Sequence, residues 1–209
     1  MDGENGARGR IRLSVEVASE DFFVDYAGRL QAVLKAGDWS GVAALATDMR
    51  EAWVAKRQVF LCGNGGSAGN AIHLANDFIY GVAKQTGGGL KAHALPANSA
   101  VITCLANDVG YASIYAEQLA VLGESGDILI VFSGSGNSPN VVAALEQARA
   151  MKIKSYAVLG YSGGKCKTLA DVAIHFPVDD MQIAEDMQMV VGHMLMQWLY
   201  VKRPQAKSL

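Results

Sequence analysis

The sequence predicts an α/β protein with a parallel sheet covered by helices on both faces. From residue 58 onward, strand-like and helix-like segments alternate, the pattern of strands joined by crossover helices. Two loops rich in glycine, serine and asparagine, residues 62–67 and 133–138, each follow an apolar run and precede a helical pattern. Because ligands of parallel sheets bind beyond the carboxyl ends of the strands, we expect both loops at the ligand site.

The N-terminal part is predicted to form a helical hairpin. Apolar residues recur at helical spacing over 20–36 and again over 39–56, and Gly37 and Asp38 separate the two runs. The first residues are glycine-rich and charged, lack the apolar segment of a signal peptide, and are expected to be disordered. The chain thus divides into a disordered N-terminus, N-terminal helices of an oligomer interface, and a sheet domain: residues 1–15, 16–57 and 58–209.

The remaining elements follow in alternating order. Strands are predicted at short apolar runs bounded by turn residues: 58–62, 91–95, 127–132, 154–159 and 172–176. Helices are predicted where apolar residues recur at helical spacing: 67–82, 99–105, 113–122, 140–151, 165–169 and 182–202. Between two of these helices, Asn107 and Asp108 precede Gly110 and fit a turn or cap, with ligand contact as the alternative.

Composition excludes several classes of function. The chain has 209 residues, of which 51% are hydrophobic and 18% charged, which favours one domain that associates with further copies. A net charge of −2 gives no basis for binding nucleic acid or an anionic membrane. The longest apolar stretch, 187–201, is too short and too polar to span a bilayer, so we expect a cytoplasmic protein. Cys62, Cys104 and Cys166 form no C-x-x-C motif and are predicted to be buried apolar residues.

The first loop, residues 62–67, fits the start of a G-x-G-x-x-A motif. A dinucleotide site would add an acidic residue after the next strand to hold the ribose, but residues 96–98 read Pro-Ala-Asn. No Gly-Lys-Ser/Thr sequence of a Walker loop occurs either. We therefore expect no nucleotide cofactor. A tight turn without a ligand stays open as the alternative for this loop.

The second loop, residues 133–138, carries three hydroxyl groups around two glycines. Ser138 suits the N-cap of the following helix, and Pro139 suits its first turn. Capping needs only one of the three hydroxyls, so capping does not explain Ser133 and Ser135. Glycine-rich backbone, hydroxyls and a helix N-terminus together favour phosphate binding.

Two helices each carry a histidine and a carboxylate on one face. His73 and Asp77 are one turn apart, and Glu185 and His193 are about two turns apart. The four side chains could form a divalent metal site or an acid/base pair. Each pair alone is also typical of structural, hydrogen-bonded histidines.

Four segments together resemble the sugar isomerase (SIS) domain family: 62–67, 106–108, 133–141 and 163–165. The resemblance runs from about residue 58 to the end and more loosely through the N-terminal helices. It implies a flavodoxin-like, doubly wound sheet and a homotetramer with active sites at subunit interfaces. Within the family it is similar to the phosphoheptose isomerases. These convert sedoheptulose 7-phosphate to D-glycero-D-manno-heptose 7-phosphate in nucleotide-activated heptose biosynthesis.

The resemblance also implies roles for individual residues. Substrate contacts carry over to both loops and to the segment between them: Asn64, Gly65, Gly66, Ser67, Asn107, Asp108, Ser133, Gly134, Ser135 and Ser138. Catalysis carries over to Asp77, Glu185 and His193, and Zn²⁺, which some members bind, to His73, Asp77, Glu185 and His193. Three positions depart from the family pattern: Gly134 replaces a threonine, Asp77 a glutamate and Glu185 a glutamine.

The implied reaction moves one hydrogen between C1 and C2 of a sugar phosphate through an enediol(ate). It needs a base near the carbon-bound proton and an acid near the carbonyl. We expect Asp77 or Glu185 to move the proton and His193 to assist ring opening or oxygen protonation. Two alternatives stay open: an isomerase of a different phosphosugar, and a non-catalytic SIS scaffold such as a factor that associates with a replication initiator.

Overall fold

The computed structural model describes residues 18–84 and 87–204, so the disorder expected for residues 1–15 lies outside the described residues. The strands are β1 (Gln58–Cys62), β2 (Lys91–Ala94), β3 (Ile128–Ser133), β4 (Lys154–Leu159) and β5 (Val172–His175). The helices are α1 (Glu20–Ala36), α2 (Ser40–Val54), α3 (Gly66–Ile79), α4 (Ser99–Asp108), α5 (Ala116–Leu122), α6 (Pro139–Ala150), α7 (Cys166–Leu169) and α8 (Met181–Val201).

The five strands form one parallel sheet in the order β2-β1-β3-β4-β5. This is the flavodoxin-like order, and it confirms the predicted fold class. The strand order reverses direction between β1 and β3, which are neighbours in the sheet. A crevice opens at such a switch point, and each of the two glycine-serine loops leaves one of these strands.

Buried side chains cover both faces of the sheet. In β3, Ile128 and Ile130 pack on one side and Leu129 and Val131 on the other, the alternation of a strand buried on both faces. Helices α2, α3 and α8 supply the first core, and α5 and α6 supply the second. Helices α3 and α8 also pack against each other, which brings their functional side chains together.

The N-terminal hairpin is held mainly through α8. Helix α1 contains no buried residue, and Phe22 and Phe23 are exposed in the single chain. The Tyr26 hydroxyl donates to Asp186 at 2.5 Å, which raises the pKa of Tyr26 to about 12. Arg29 pairs with Asp180, the N-cap of α8. The exposed apolar side chains fit the expected oligomer interface, which stays a prediction.

The structure differs from the sequence-based expectations in several local details. Helix α4 continues through Asn107 and Asp108, where a turn was expected, because the backbone bonds of its last turn are maintained up to Val109. Cys62 and Cys166 are buried as predicted, but Cys104 is exposed on α4, a helix without any buried residue. Within the described segments, no helix is both long and apolar enough to cross a membrane.

Candidate functional site

The two loops meet at the carboxyl ends of β1 and β3 and line one cavity of about 250 Å³. Most of its lining comes from the predicted substrate-binding positions, with two side chains of α8 and one of β3 added: Asn64, Gly65, Ser67, Phe132, Ser133, Gly134, Ser135, Ser138, Met181 and Glu185. Residues predicted from two distant sequence segments therefore share one small cavity.

The second loop places three serine hydroxyls near the N-terminus of α6. The Ser133 hydroxyl accepts from the Gly136 N–H at 3.0 Å, and the Ser135 hydroxyl accepts from the Asn137 N–H at 3.3 Å. Ser138 occupies the predicted N-cap position but makes no capping hydrogen bond with its side chain. Its hydroxyl and the positive end of the helix dipole remain for an anion in the cavity.

The first loop is fixed by three side chains from two other segments. The Asn64 and Asn140 amides exchange two hydrogen bonds, of 2.8 and 2.7 Å. Tyr111 donates to the Asn64 carbonyl oxygen at 3.2 Å, and the Tyr115 hydroxyl donates to the Gly63 carbonyl. Burial raises the pKa of Tyr115 well above its usual value, so this phenol stays a hydrogen-bond donor. Neither Asn140 nor the two tyrosines were singled out from the sequence.

The first turns of α8 form the opposite wall of the cavity. The Glu185 carboxylate lies against Gly66 so closely that a Cβ at this position would overlap it. The Met181 thioether covers Gly134 in the same way, in the space that a side chain at this position would need. Glu185 thus faces the cavity, and the Met181 side chain fills the space beside Gly134.

His73, Asp77 and His193 form a second cluster on the α3–α8 face. The two Nε2 atoms are 3.2 Å apart, and the Asp77 Oδ2 lies 3.4 Å from His73 and 3.7 Å from His193. Asp77 is largely buried, with 16% of its side chain exposed, whereas both histidines are about half exposed. The arrangement leaves one side of the cluster open to solvent in the single chain.

The spacing of these three atoms fits a zinc ion. Zinc–ligand bonds of about 2.0–2.1 Å in a tetrahedral site put neighbouring donor atoms about 3.3 Å apart. The three observed separations are 3.2, 3.4 and 3.7 Å, and the three side chains are the only group of this kind among the described residues. Two imidazoles and a carboxylate are also suitable ligands for zinc.

Glu185, the fourth residue of the expected metal set, is not part of this group. It lies eight residues before His193 on α8, which corresponds to about 12 Å along the helix axis. Between Glu185 and the histidine cluster, the Asn70 side-chain amide donates to the Gln188 side-chain oxygen and to the Glu185 backbone carbonyl, both at 3.0 Å. Both side chains contact α3, Glu185 at Gly66 and His193 at His73, and the two helical turns between them keep the carboxylate out of the histidine cluster.

Asn107 and Asp108 do not line the cavity of the two loops. Both are exposed, and the Asn107 amide donates to the Asp108 carboxylate at 2.7 Å. Their contact with substrate stays a prediction. A larger cavity of about 630 Å³ lies along β2, α4 and α5, but no residue of either loop lines it.

Comparison with known proteins relates this geometry to one family. A family model described as SIS domain matches residues 22–160. A phosphoheptose isomerase of Akkermansia muciniphila is 37% identical over 160 residues, covering 77% of this chain and 82% of the relative. One of Helicobacter pylori is 39% identical over 138 residues, covering 66% of this chain and 71% of the relative. The solved structure of a phosphoheptose isomerase from Francisella tularensis superposes with a TM-score of 0.80 at 27% identity, covering 86% of this chain and 95% of the other.

Proposed function

The chain belongs to the SIS domain family, and from this premise we propose that it is a sugar-phosphate isomerase that interconverts sedoheptulose 7-phosphate and D-glycero-D-manno-heptose 7-phosphate. The observation that carries the proposal is the single cavity in which a serine-rich loop at a helix N-terminus faces the Glu185 carboxylate. A phosphate site and a proton acceptor are the two groups that such an isomerase needs in one place.

The substrate phosphate is proposed to bind at the second loop. The hydroxyls of Ser133, Ser135 and Ser138 and the N-terminus of α6 offer hydrogen bonds and a favourable dipole to an anion. The Glu185 carboxylate would repel the phosphate, so the sugar chain and not the phosphate is placed against α8. The hydroxyls of the sugar can donate to the Glu185 carboxylate. Asn64 and Ser67 line the cavity between the proposed phosphate site and Glu185.

Glu185 is proposed as the group that moves the carbon-bound proton. It takes a proton from C1 of the ketose, which leaves an enediolate, and returns it to C2, while a second proton passes from the C1 oxygen to the C2 oxygen. Asp77 is the alternative base, but it lies in the histidine cluster and does not line the cavity. His193 lies in the same cluster, so its proposed part in ring opening or in the transfer between the oxygens requires the substrate to reach from the cavity to that cluster.

His73, Asp77 and His193 are the residues that would hold a zinc ion. When bound, zinc supplies charge that polarises a carbonyl and stabilises an oxyanion. In this proposal Glu185 stays outside the metal site and keeps its carboxylate for the substrate. The Asp77 Oδ2 atom lies 3.4 and 3.7 Å from the two Nε2 atoms, so all three donor atoms can share one ion.

The proposal is tested by incubating the protein with sedoheptulose 7-phosphate in deuterated water and following C1 and C2 by NMR. We expect the aldose signal to appear and deuterium to enter at the exchanging carbon, because an enediolate exchanges its proton with solvent. A panel of other ketose phosphates identifies a different sugar. Binding of every member without turnover or exchange would reject the isomerase in favour of a sugar-phosphate binding protein.

The protein is further proposed to work as a homotetramer. Phe22, Phe23 and several other large apolar side chains are exposed in the single chain, and both histidines of the cluster are half exposed. Large exposed apolar surfaces favour association. Size-exclusion chromatography with light scattering measures the mass directly, and a monomer at micromolar concentration would contradict the proposal.

A further inference from the structure

The Asn64 side chain is held more tightly than a residue that binds substrate alone would need. Its carbonyl oxygen accepts from Asn140 at 2.7 Å and from Tyr111 at 3.2 Å, which uses both lone pairs. Its Nδ2 donates one hydrogen to the Asn140 carbonyl oxygen at 2.8 Å. Among the described residues, the second Nδ2 hydrogen has no partner, and Asn64 lines the substrate cavity.

A backbone N–H group determines which way both amides point. The Val141 N–H donates to the Asn140 carbonyl oxygen at 3.0 Å. A backbone N–H can only donate, so this position of the Asn140 side chain must be its oxygen and the other its nitrogen. The reciprocal bonds then require the Asn64 oxygen to face the Asn140 nitrogen. The backbone of α6 therefore fixes the orientation of the Asn140 amide, and the Asn140 amide in turn fixes that of Asn64 in the first loop.

We propose that Asn140 is a positioning residue that fixes the polarity of Asn64, so that Asn64 offers only an N–H to the ligand. Asn64 then recognises an oxygen lone pair, such as a carbonyl or an ether oxygen of the sugar, and gives no acceptor to a hydroxyl. Glu185 on the opposite wall offers only acceptors while it is ionised. The cavity thus binds a sugar in one orientation, with hydrogen-bond donors of the sugar facing Glu185 and acceptors of the sugar facing Asn64. This inference rests on the proposed function and deepens it.

Asn140 acts through Asn64 and not by touching the ligand. It is 1% exposed and does not line the cavity. Tyr111, the second donor to the Asn64 side-chain oxygen, is 57% exposed, so the network can be altered there without disturbing the core. Substitution of Asn140 or of Tyr111 should therefore weaken the binding of the sugar phosphate more than that of inorganic phosphate.

The direct test is Asn140→Asp. The carboxylate keeps the shape and the Val141 contact but cannot donate to Asn64, whose amide loses its fixed orientation. In calorimetric titrations we expect the affinity for sedoheptulose 7-phosphate to fall about tenfold, the usual effect of one lost hydrogen bond. The new carboxylate lies in the first turn of α6, beside the proposed phosphate site, and repels phosphate as well. The tenfold loss is therefore expected in the ratio of the affinity for the sugar phosphate to that for inorganic phosphate. Asn98→Asp is the matched control, because Asn98 caps α4 through its Oδ1, which aspartate retains.

A double-mutant cycle separates positioning from a general loss of structure. In an Asn64→Ala background the cavity has no amide left to orient, so adding Asn140→Asp should lower the affinity for the sugar phosphate no more than the affinity for inorganic phosphate. If Asn140→Asp does not fold, Tyr111→Phe serves in the same cycle and should lower the affinity about threefold in the wild-type background alone. An equal loss in both backgrounds would overturn the inference.

The outcomes distinguish this inference from the function on which it rests. If the wild-type chain binds sedoheptulose 7-phosphate and a panel of other phosphosugars no better than inorganic phosphate, the proposed function fails and this inference fails with it. If the wild-type chain prefers a phosphosugar and Asn140→Asp binds that sugar equally well, only the positioning role of Asn140 is refuted.

Discussion

Replacing His193 by alanine removes one nitrogen from a group of three donor atoms that are 3.2 to 3.7 Å apart. Structural zinc sites with four ligands bind with about 10–16 kcal/mol, so one ligand contributes about 3 kcal/mol. This corresponds to a loss of about two orders of magnitude in zinc affinity for His193→Ala. The remaining two donors, His73 and Asp77, are one helical turn apart on α3 and would form only a weak site.

The assay is a competition between the protein and a chromophoric chelator for zinc at neutral pH, with the metal content measured by mass spectrometry. Glu185→Ala is the matched control, because it removes a carboxylate on the same helix that lies outside the cluster. We expect Glu185→Ala to bind zinc as the wild type does. Wild-type affinity in His193→Ala would refute the site, and an equal loss in Glu185→Ala would show that Glu185 is a ligand after all.

Three further predictions concern the loops, the reaction and the N-terminal hairpin. Ser135→Ala should weaken inorganic phosphate binding by about ten- to a hundredfold in calorimetry, since it removes a hydroxyl donor to an anion. Asp77→Asn combined with His193→Ala should abolish turnover of sedoheptulose 7-phosphate and leave the mass in light scattering unchanged; a scaffold would keep every property. The Ile183 N–H and Arg29 lower the pKa of Asp180, so its contribution to stability is present above its usual range and is lost as the pH falls through the lowered value. The melting temperature of Asp180→Asn should therefore approach that of the wild type below about pH 4, and a constant difference at all pH values would contradict this.

Most of the fold could be predicted from local sequence patterns. Alternating strand and helix signals depend on short-range periodicity, which is why every strand lies where it was expected. The two loops were recognised as candidate anion-binding sites because glycine and serine between a strand and a helix are typical of such sites. Helix ends were predicted less closely: α4 extends to Asp108 and ends just before Gly110, whose φ is +118°.

The geometry of the site depended on tertiary packing that local patterns do not contain. Helical spacing placed Glu185 and His193 on one face, but only the docking of α3 on α8 shows that each meets a different partner. The Asn64–Asn140 pair was not predicted, since Asn140 looks like an ordinary first-turn residue of a helix. Cys104 was expected to be buried, as most cysteines are, and lies exposed on a helix that covers no core.

The bond between Asn64 and Asn140 joins positions 76 residues apart in the chain. Parallel neighbours such as β1 and β3 can pair only after the long crossover between them has closed, a step that slows folding. The cavity therefore does not exist in a partly folded chain, and no isolated half of the sheet can bind the sugar. A ligand at one hundred times its Kd then stabilises the folded chain by about 2.7 kcal/mol, so the melting temperature alone can report which sugar the protein accepts.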